Sequence, residues 1–329
     1  MNILVTGGAG YIGSHVVEEL QKSGFIPIVY DNFSTGHAAA VPEDVQLVEG
    51  DIHNTVFAKH IIEQFGIDAV IHFAASSLVG ESMENPANYY FNNVEGSLHL
   101  LEAMREVGVD KIVFSSTAAV YGEPENVPIT ENSKVQPTNV YGHSKLMIER
   151  MLADYDMAYD MHYVALRYFN AAGASFSCDI GEDHSPETHL IPLILKTAQG
   201  VRKHVSIFGT DYPTNDGTCV RDYIHVCDLA VAHILALEHL LKGGTSRVYN
   251  LGSENGLSVQ EIIKSAKKMT NVDFPVVEEQ RRPGDPAVLI ASSDKIRQEL
   301  GWMPAQSNIE TIIGTAWRWY QAHPRGYEN

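Results

Sequence analysis

Tyr141 and Lys145 stand four residues apart in Tyr141-Gly-His-Ser-Lys145. On a helix that spacing puts both side chains on one face. A free tyrosine has a pKa near ~10, so its phenolate is scarce at neutral pH. An ammonium held beside the ring stabilises the phenolate and makes the residue a base for an alcohol proton. Lys111 to Ser116 read as a β-strand running into Ser115-Ser116-Thr117, so the Thr117 hydroxyl falls where it can share that alcohol with Tyr141. Tyr-x-x-x-Lys alone arises by chance; its weight here comes from the start of the chain.

Asn2 to Thr6 are mostly apolar and β-branched, a short buried strand. Gly7, Gly10 and Gly13 follow as G-x-x-G-x-x-G, enclosing Tyr11 and Ile12, and open a helix that continues to Lys22. A strand, a glycine turn and a helix N-terminus make an anion site: the backbone approaches closely, and free N–H groups with the helix dipole stabilise a pyrophosphate. Phe25 to Tyr30 form a second strand closed by Asp31. A carboxylate there accepts both adenosine ribose hydroxyls and repels a 2′-phosphate, so NAD is expected over NADP. Asn32 and Ser34 follow on a polar loop within reach of the same sugar. Val45 to Val48 make a third strand ending in Gly50-Asp51-Ile52, where Asp51 either meets the adenine edge or caps a helix. Asp68 to Phe73 make a fourth, and the small Ala74-Ala75 after it let a cofactor lie close.

Strands alternating with helices predict an α/β fold, a Rossmann-type doubly wound parallel sheet with a smaller C-terminal α/β substrate domain. Ligands in such sheets lie beyond the C-terminal strand ends, where Asp31, Asp51, Ala74 and Thr117 fall. Residues 1–170 are expected to form the dinucleotide domain and 171–329 mainly the substrate domain. The chain is expected to return to the first within about 222–252, because Arg247-Val-Tyr-Asn-Leu-Gly252 reads as another buried strand. Asn88 to Val107 read as one amphipathic helix with Tyr90, Val94, Leu98, Leu101 and Met104 near one face, either core or subunit contact. The net charge of −18 argues against nucleic acid and anionic membrane surfaces as partners. Three unspaced cysteines, no leader before the first strand and no membrane-length apolar run lead to the expectation of a reducing cytoplasm.

The glycine triplet, Asp31 and the Tyr141/Lys145 pair resemble the extended short-chain dehydrogenase/reductases. Val164-Ala-Leu-Arg-Tyr-Phe-Asn170 resembles the sixth strand of those acting on nucleotide sugars. Gly217-Thr-Cys-Val-Arg-Asp-Tyr-Ile-His-Val226 and Arg281-Arg-Pro-Gly-Asp285 resemble the branch that inverts UDP-hexoses at C4. The likeness runs end to end. It implies a retained NAD, a UDP-sugar substrate, and interconversion of UDP-glucose and UDP-galactose by C4 oxidation, rotation of the 4-keto sugar and re-reduction. It also implies a homodimer through the 88–107 and 141–155 helices. Tyr141, Lys145 and Thr117 become the catalytic residues. Gly7, Gly10, Tyr11, Ile12, Gly13, Asp31, Asn32, Asp51, Ile52, Phe73, Ala74, Ala75, Asn92, Ser115 and Tyr168, with Tyr141 and Lys145, become the cofactor contacts. On the substrate side, Arg221 and Arg282 fork onto the pyrophosphate. Asn170 donates to it, Asp285 accepts from the uridine ribose, and Val205, Ser206, Ile207 and Phe208 flank the uracil. His189 stands where an asparagine often binds the substrate phosphate, and histidine can also donate there; Leu190 beside it is the next substrate contact.

The chain departs from that pattern in places. Ser77 replaces a lysine that some members carry after the fourth strand. Leu289 fills the position that sets room for the sugar's C2 substituent. Leucine is intermediate between tyrosine and the small residues that admit N-acetyl sugars, so UDP-N-acetylglucosamine is a further expected substrate. Related dehydratases and decarboxylases carry acids just after the strand-five hydroxyl; Ala118 and Ala119 stand there. A non-catalytic NAD-binding regulator is the other alternative, and such proteins tend to lose the tyrosine or lysine. Glu182, His184, Glu187 and His189 invite a metal reading, but Pro186 breaks any helix that would align them, so none is expected.

Overall fold

The computed structural model describes residues 1–282 and 285–327. Among the described residues the strands in chain order are β1 (Asn2–Thr6), β2 (Ile26–Asp31), β3 (Gln46–Glu49), β4 (Ala69–His72), β5 (Lys111–Ser115), β6 (His162–Tyr168), β7 (Asn170–Ala172), β8 (Val205–Phe208), β9 (Val220–His225), β10 (Arg247–Leu251), β11 (Gly256–Ser258), β12 (Val276–Glu279) and β13 (Val288–Leu289). Seven of them make one parallel sheet in the order β10-β6-β5-β4-β1-β2-β3. The order reverses beside β1, and the chain ends after β1 and β4 part there. Phe73 and Ala74 donate N–H bonds to Thr6 O, while Gly7 donates to Tyr30 O. That opening is the crevice in which doubly wound sheets hold their ligands.

Each sheet face buries its own apolar set, because strand side chains alternate. Ile3, Val5, Ile71, Val113 and Leu166 meet the helices Tyr11–Lys22 and Val226–Leu241. Leu4, Ile28, Val70, Phe114 and Ala165 meet Thr55–Phe65, Gly96–Val107 and Val140–Tyr159. Each large side chain buried this way contributes roughly 1.5–3 kcal/mol. A third core, around Ile194, Ile262, Ile313 and Trp319, holds the smaller lobe together. There β11, β9 and β13 form a sheet that β7 joins through β9, and β8 pairs with β12. Among the described residues no helix is long and apolar enough to cross a membrane. Cys178, Cys219 and Cys227 are free thiols.

The 88–107 segment is not the uniform helix its periodicity suggests. A short helix, Pro86–Tyr89, runs into a π-helical turn, Tyr90–Glu95, before Gly96–Val107 continues as α-helix. An i→i+5 turn shifts the phase of everything before it. Leu101 and Met104 are buried as the stripe predicts, whereas Tyr90, in the turn, and Leu98, on the helix after it, are exposed. The same shift turns Asn93 fully inward.

His15, His72, His225 and His233 lie inside these cores. Burial lowers His72 and His225 from 6.5 to about 3, with nearby Lys145 and His15 respectively adding to the effect. Burial likewise takes His15 and His233 to about 4, against one backbone hydrogen bond each. The unfolded chain therefore binds more protons than the fold below 6.5, and stability falls as pH drops through that value towards 3 to 4. The expected slope is on the order of 1.4 kcal/mol per histidine per pH unit. Denaturant titrations at neutral and mildly acidic pH check this, and His233→Leu is expected to make the dependence shallower.

Candidate active site

The helix Val140–Tyr159 starts where its sequence allows. The Asn139 side chain accepts from the Gly142 N–H at 2.8 Å. Gly142 packs so closely on the Ala118–Tyr121 turn that a Cβ would lie 2.6 Å from Ala119 O. From that start Tyr141, Lys145 and Glu149 form one stripe, and three consecutive residues at the end of β5 meet them in turn. Lys145 Nζ donates to Ser115 O at 2.9 Å. The Ser116 hydroxyl donates to Glu149 Oε1 at 2.5 Å. The Thr117 hydroxyl lies close enough to the Tyr141 phenol to favour its ionised form.

The electrostatics follow from burial. Lys145 Nζ lies 4.9 Å from the Phe114 ring centre and 6.0 Å from that of Tyr141. Desolvation pushes its ammonium down to about 7, with Glu149 pulling the other way. Burial raises the Tyr141 phenol, and the Thr117 hydroxyl lowers it. Glu149 is held by a two-point contact with Arg167, 2.9 Å from Nε and 2.5 Å from Nη2. Arg167 also donates to the Tyr121 hydroxyl, which donates to Asn250 Oδ1. Sequence reading did not single out Glu149 or Arg167; the four-residue spacing from Lys145 to Glu149 was the available signal.

A second buried network supports the same helix. His72 Nδ1 is 2.7 Å from the Thr6 hydroxyl, and its Nε2 is 2.9 Å from Ser97 Oγ. Ser97 donates to Asn93 O. The Asn93 amide donates to Ser76 O and Ser144 Oγ and accepts from Ser76 N, and Ser144 donates to Tyr141 O. Asn93 is thus a strut between the sheet and the first turn carrying Tyr141. Asn92, the residue expected near a cofactor, is half-buried and donates to Ser76 Oγ at 3.1 Å.

The residues expected to hold a dinucleotide surround the crevice. No side chain caps the helix at Gly10, so its first N–H groups stay available to an anion. Gly7 has φ +72°, and a Cβ there would lie 2.6 Å from Ala74 N. At Gly13 a Cβ would lie 2.2 Å from Gly7 O. These contacts bring the turn against Ala74, with Phe73 before it and Ala75 after it. Asp31 accepts from Ala9 N and Phe33 N at 2.9 and 2.8 Å. Burial raises its carboxyl, against those bonds and one from Asn32. Asn32 Nδ2 bonds Asp51 Oδ2 at 2.9 Å, and Ile52 is buried beside them. Asp51 does not cap the next helix; Asn54 does. Tyr11 donates to Gly173 O, and Ile12 is packed on the core. Ser115 and Tyr168 share a 2.5 Å hydroxyl contact. Phe73 and Tyr168 flank His233, whose buried Nε2 has no partner. An uncapped glycine turn, an acid at the β2 end and closely packed small residues fit an NAD.

The substrate-side expectations are met unevenly. Arg221 pairs with Asp285 and also donates to Val220 O at 2.7 Å, so the two side chains neutralise each other. The Arg282 guanidinium stacks 3.9 Å above the Phe208 ring. A cleft of about 650 Å³ opens beside them, lined by Glu123, Pro124, Pro213, Arg282, Asp285 and Val288. Its size suits a small ligand. Val205 and Ile207 do not face it: strand alternation turns them into the smaller lobe's core, leaving Ser206 and Phe208 outward. Ser206 donates to Glu279. Asn170 opens β7 and already donates to Asp222 O at 2.9 Å, so that amide is engaged by the protein itself. Leu190 packs on the core, and His189 Nδ1 lies 2.7 Å from Glu182. Leu289 packs on the apolar cluster of Ala118, Val120, Tyr121, Ile129 and Leu146, which includes the turn that follows Thr117.

The sequence pattern of the NAD dependent epimerase/dehydratase family matches residues 3–252. A UDP-glucose 4-epimerase of Halalkalibacterium halodurans is 54% identical, covering 99% of this chain and 98% of the relative. A crystal structure of a UDP-glucose 4-epimerase superposes with TM-score 0.98 at 52% identity, covering 100% of both chains. The Bifidobacterium longum UDP-glucose 4-epimerase, solved with NAD+ and UDP, superposes with TM-score 0.94 at 39% identity, over 99% of this chain and 100% of that one.

Glu149→Ala would strand the Arg167 guanidinium in the interior. The expected loss is about 3–5 kcal/mol of unfolding free energy, read by chemical denaturation. A loss below about 1 kcal/mol, the range of surface pairs, would contradict this view of the pair.

Proposed function

The chain belongs to the NAD dependent epimerase/dehydratase family, and on that premise we propose that it interconverts UDP-glucose and UDP-galactose through C4. The observation that carries this reading is the Thr117–Tyr141–Lys145 arrangement at the end of β5, beside the crevice suited to NAD. NAD, when bound, supplies the hydride acceptor and returns the hydride. Thr117 and Tyr141 bind the C4 hydroxyl between them. Tyr141 takes the hydroxyl proton as the carbon is oxidised and gives it back on reduction. Lys145 stabilises the phenolate, because its charge lies near the ring in a site emptied of water. Arg221, Arg282 and Asp285 hold the UDP. The sugar itself is gripped weakly enough to turn. Ala118 and Ala119 offer no acid or base for a dehydratase's elimination, which leaves epimerisation as the chemistry these residues support.

Leu289, beside the turn after Thr117, leaves room at C2, so UDP-N-acetylglucosamine is proposed as a second substrate. Tyr90, Phe91, Leu98 and Met147 are exposed on the two helical segments assigned to a subunit contact. They support a homodimer; a monomeric mass by light scattering would contradict it.

UDP-galactose incubated with the purified protein, with no NAD added, is expected to yield UDP-glucose. Tyr141→Phe is expected to lower kcat by about 10²–10⁴. No turnover even with added NAD would overturn the proposal. Leu289→Tyr is expected to depress UDP-N-acetylglucosamine turnover more than UDP-galactose turnover, and equal losses would remove Leu289 from specificity.

A further inference from the structure

The segment between β7 and the helix Leu190–Ala198 gathers four donors, of which only His189 was expected to touch substrate; in this structure its ring turns to Glu182 instead. Its Gly181 packs on Trp319, where a Cβ would lie 2.3 Å from the ring, and Tyr320 donates to Glu182 O at 3.0 Å. So anchored, the segment folds Glu182, His184, Glu187 and His189 onto one point. One ligand atom from each lies within 4.8 Å of all the others. No helix aligns them; the loop itself does so.

From this geometry we propose that Glu182, His184, Glu187 and His189 form a structural site for a four-coordinate divalent transition metal, zinc by preference. His184 Nδ1 lies 3.3 Å from Glu182 Oε1 and 3.8 Å from Glu187 Oε2. His189 Nδ1 lies 2.7 Å from Glu182 Oε1 and 3.4 Å from Glu187 Oε1. A tetrahedron with ligands about 2.0–2.1 Å from its centre has edges of about 3.4 Å; the four separations above lie on either side of that, and the whole set, within 4.8 Å, closes onto an ion by side-chain movement. A second observation points the same way. Glu187 Oε2 and His184 Nδ1 are buried without a hydrogen-bond partner, and the Glu187 side chain is 4% exposed. A buried carboxylate oxygen without a donor is costly, and the ring nitrogen 3.8 Å from it meets Glu182 Oε1 only at 3.3 Å, without good hydrogen-bond geometry. One cation satisfies both. Two imidazoles with two carboxylates favour zinc over the hard ions magnesium and calcium, which take oxygen ligands. The His189 side chain, 48% exposed, leaves a route in from solvent. Four protein ligands close the shell, which marks a structural ion. Its place is beside the glycine-rich turn, since the Tyr11 and His184 rings are 6.3 Å apart.

Full-length protein stripped with a chelator and titrated with Co²⁺ tests this. The expected result is the visible absorption of four-coordinate cobalt, saturating at one ion per chain and displaced by Zn²⁺. Glu187→Gln and His184→Asn, each checked for native circular dichroism, are expected to weaken binding at least tenfold. X-ray absorption of the zinc-loaded native protein needs no variant, and is expected to report four N/O ligands with imidazole scattering. Absence of saturable binding, a six-coordinate or sulfur-containing shell, or folded variants that bind like the native chain would each overturn the proposal.

Discussion

Three consecutive residues at the end of β5 hold the helix Val140–Tyr159 by three different means. Ser115 offers a carbonyl to Lys145, Ser116 a hydroxyl to Glu149, and Thr117 a hydroxyl to Tyr141. The match arises because the helix repeats every four residues along one face while the chain leaving the strand advances residue by residue. The constraint is severe. The ammonium and the carboxylate are both almost fully buried, and such groups are stable only where every partner is in place. Arg167 completes the arrangement from β6, and Tyr121 with Asn250 fixes its far end. The end of β5 and the first turns of the helix are therefore held rigidly together.

The substrate side is built differently. Arg221 and Asp285 are paired with each other, and Arg282 rests on an aromatic ring. A nucleotide diphosphate that displaces Asp285 from Arg221 exchanges one anion for another without exposing a bare guanidinium. Firm placement of the base and adaptable placement of the diphosphate suit a reaction in which the nucleotide is held and the sugar turns.

Much of this was legible in the sequence because spacing encodes it. The strand–glycine–helix opening, Asp31 at the β2 end, and Tyr141, Lys145 and Thr117 all lie where local pattern puts them. Three things were hidden, each for a physical reason. Asn93 points inward because a π-helical turn changes the phase of an otherwise regular helix, so its role as a strut was not legible from the helical stripe. Val205 and Ile207 looked like ligand contacts until the smaller lobe's core claimed their face of the strand. Glu149, Arg167, Tyr121 and Asn250 come from four separate segments, and no local pattern links them. The same holds for the Glu182–His189 cluster, whose convergence depends on Trp319 and Tyr320 more than a hundred residues away.

The most direct test of the account follows the hydrogen on C4. UDP-galactose carrying deuterium at that carbon, turned over in ordinary water, is predicted to give UDP-glucose with the deuterium still on C4. The hydride leaves and returns inside one closed site, while only the hydroxyl proton passes through Tyr141. Deuterium lost to solvent would mean that the hydrogen leaves C4 as a proton, and would contradict the role given to Tyr141.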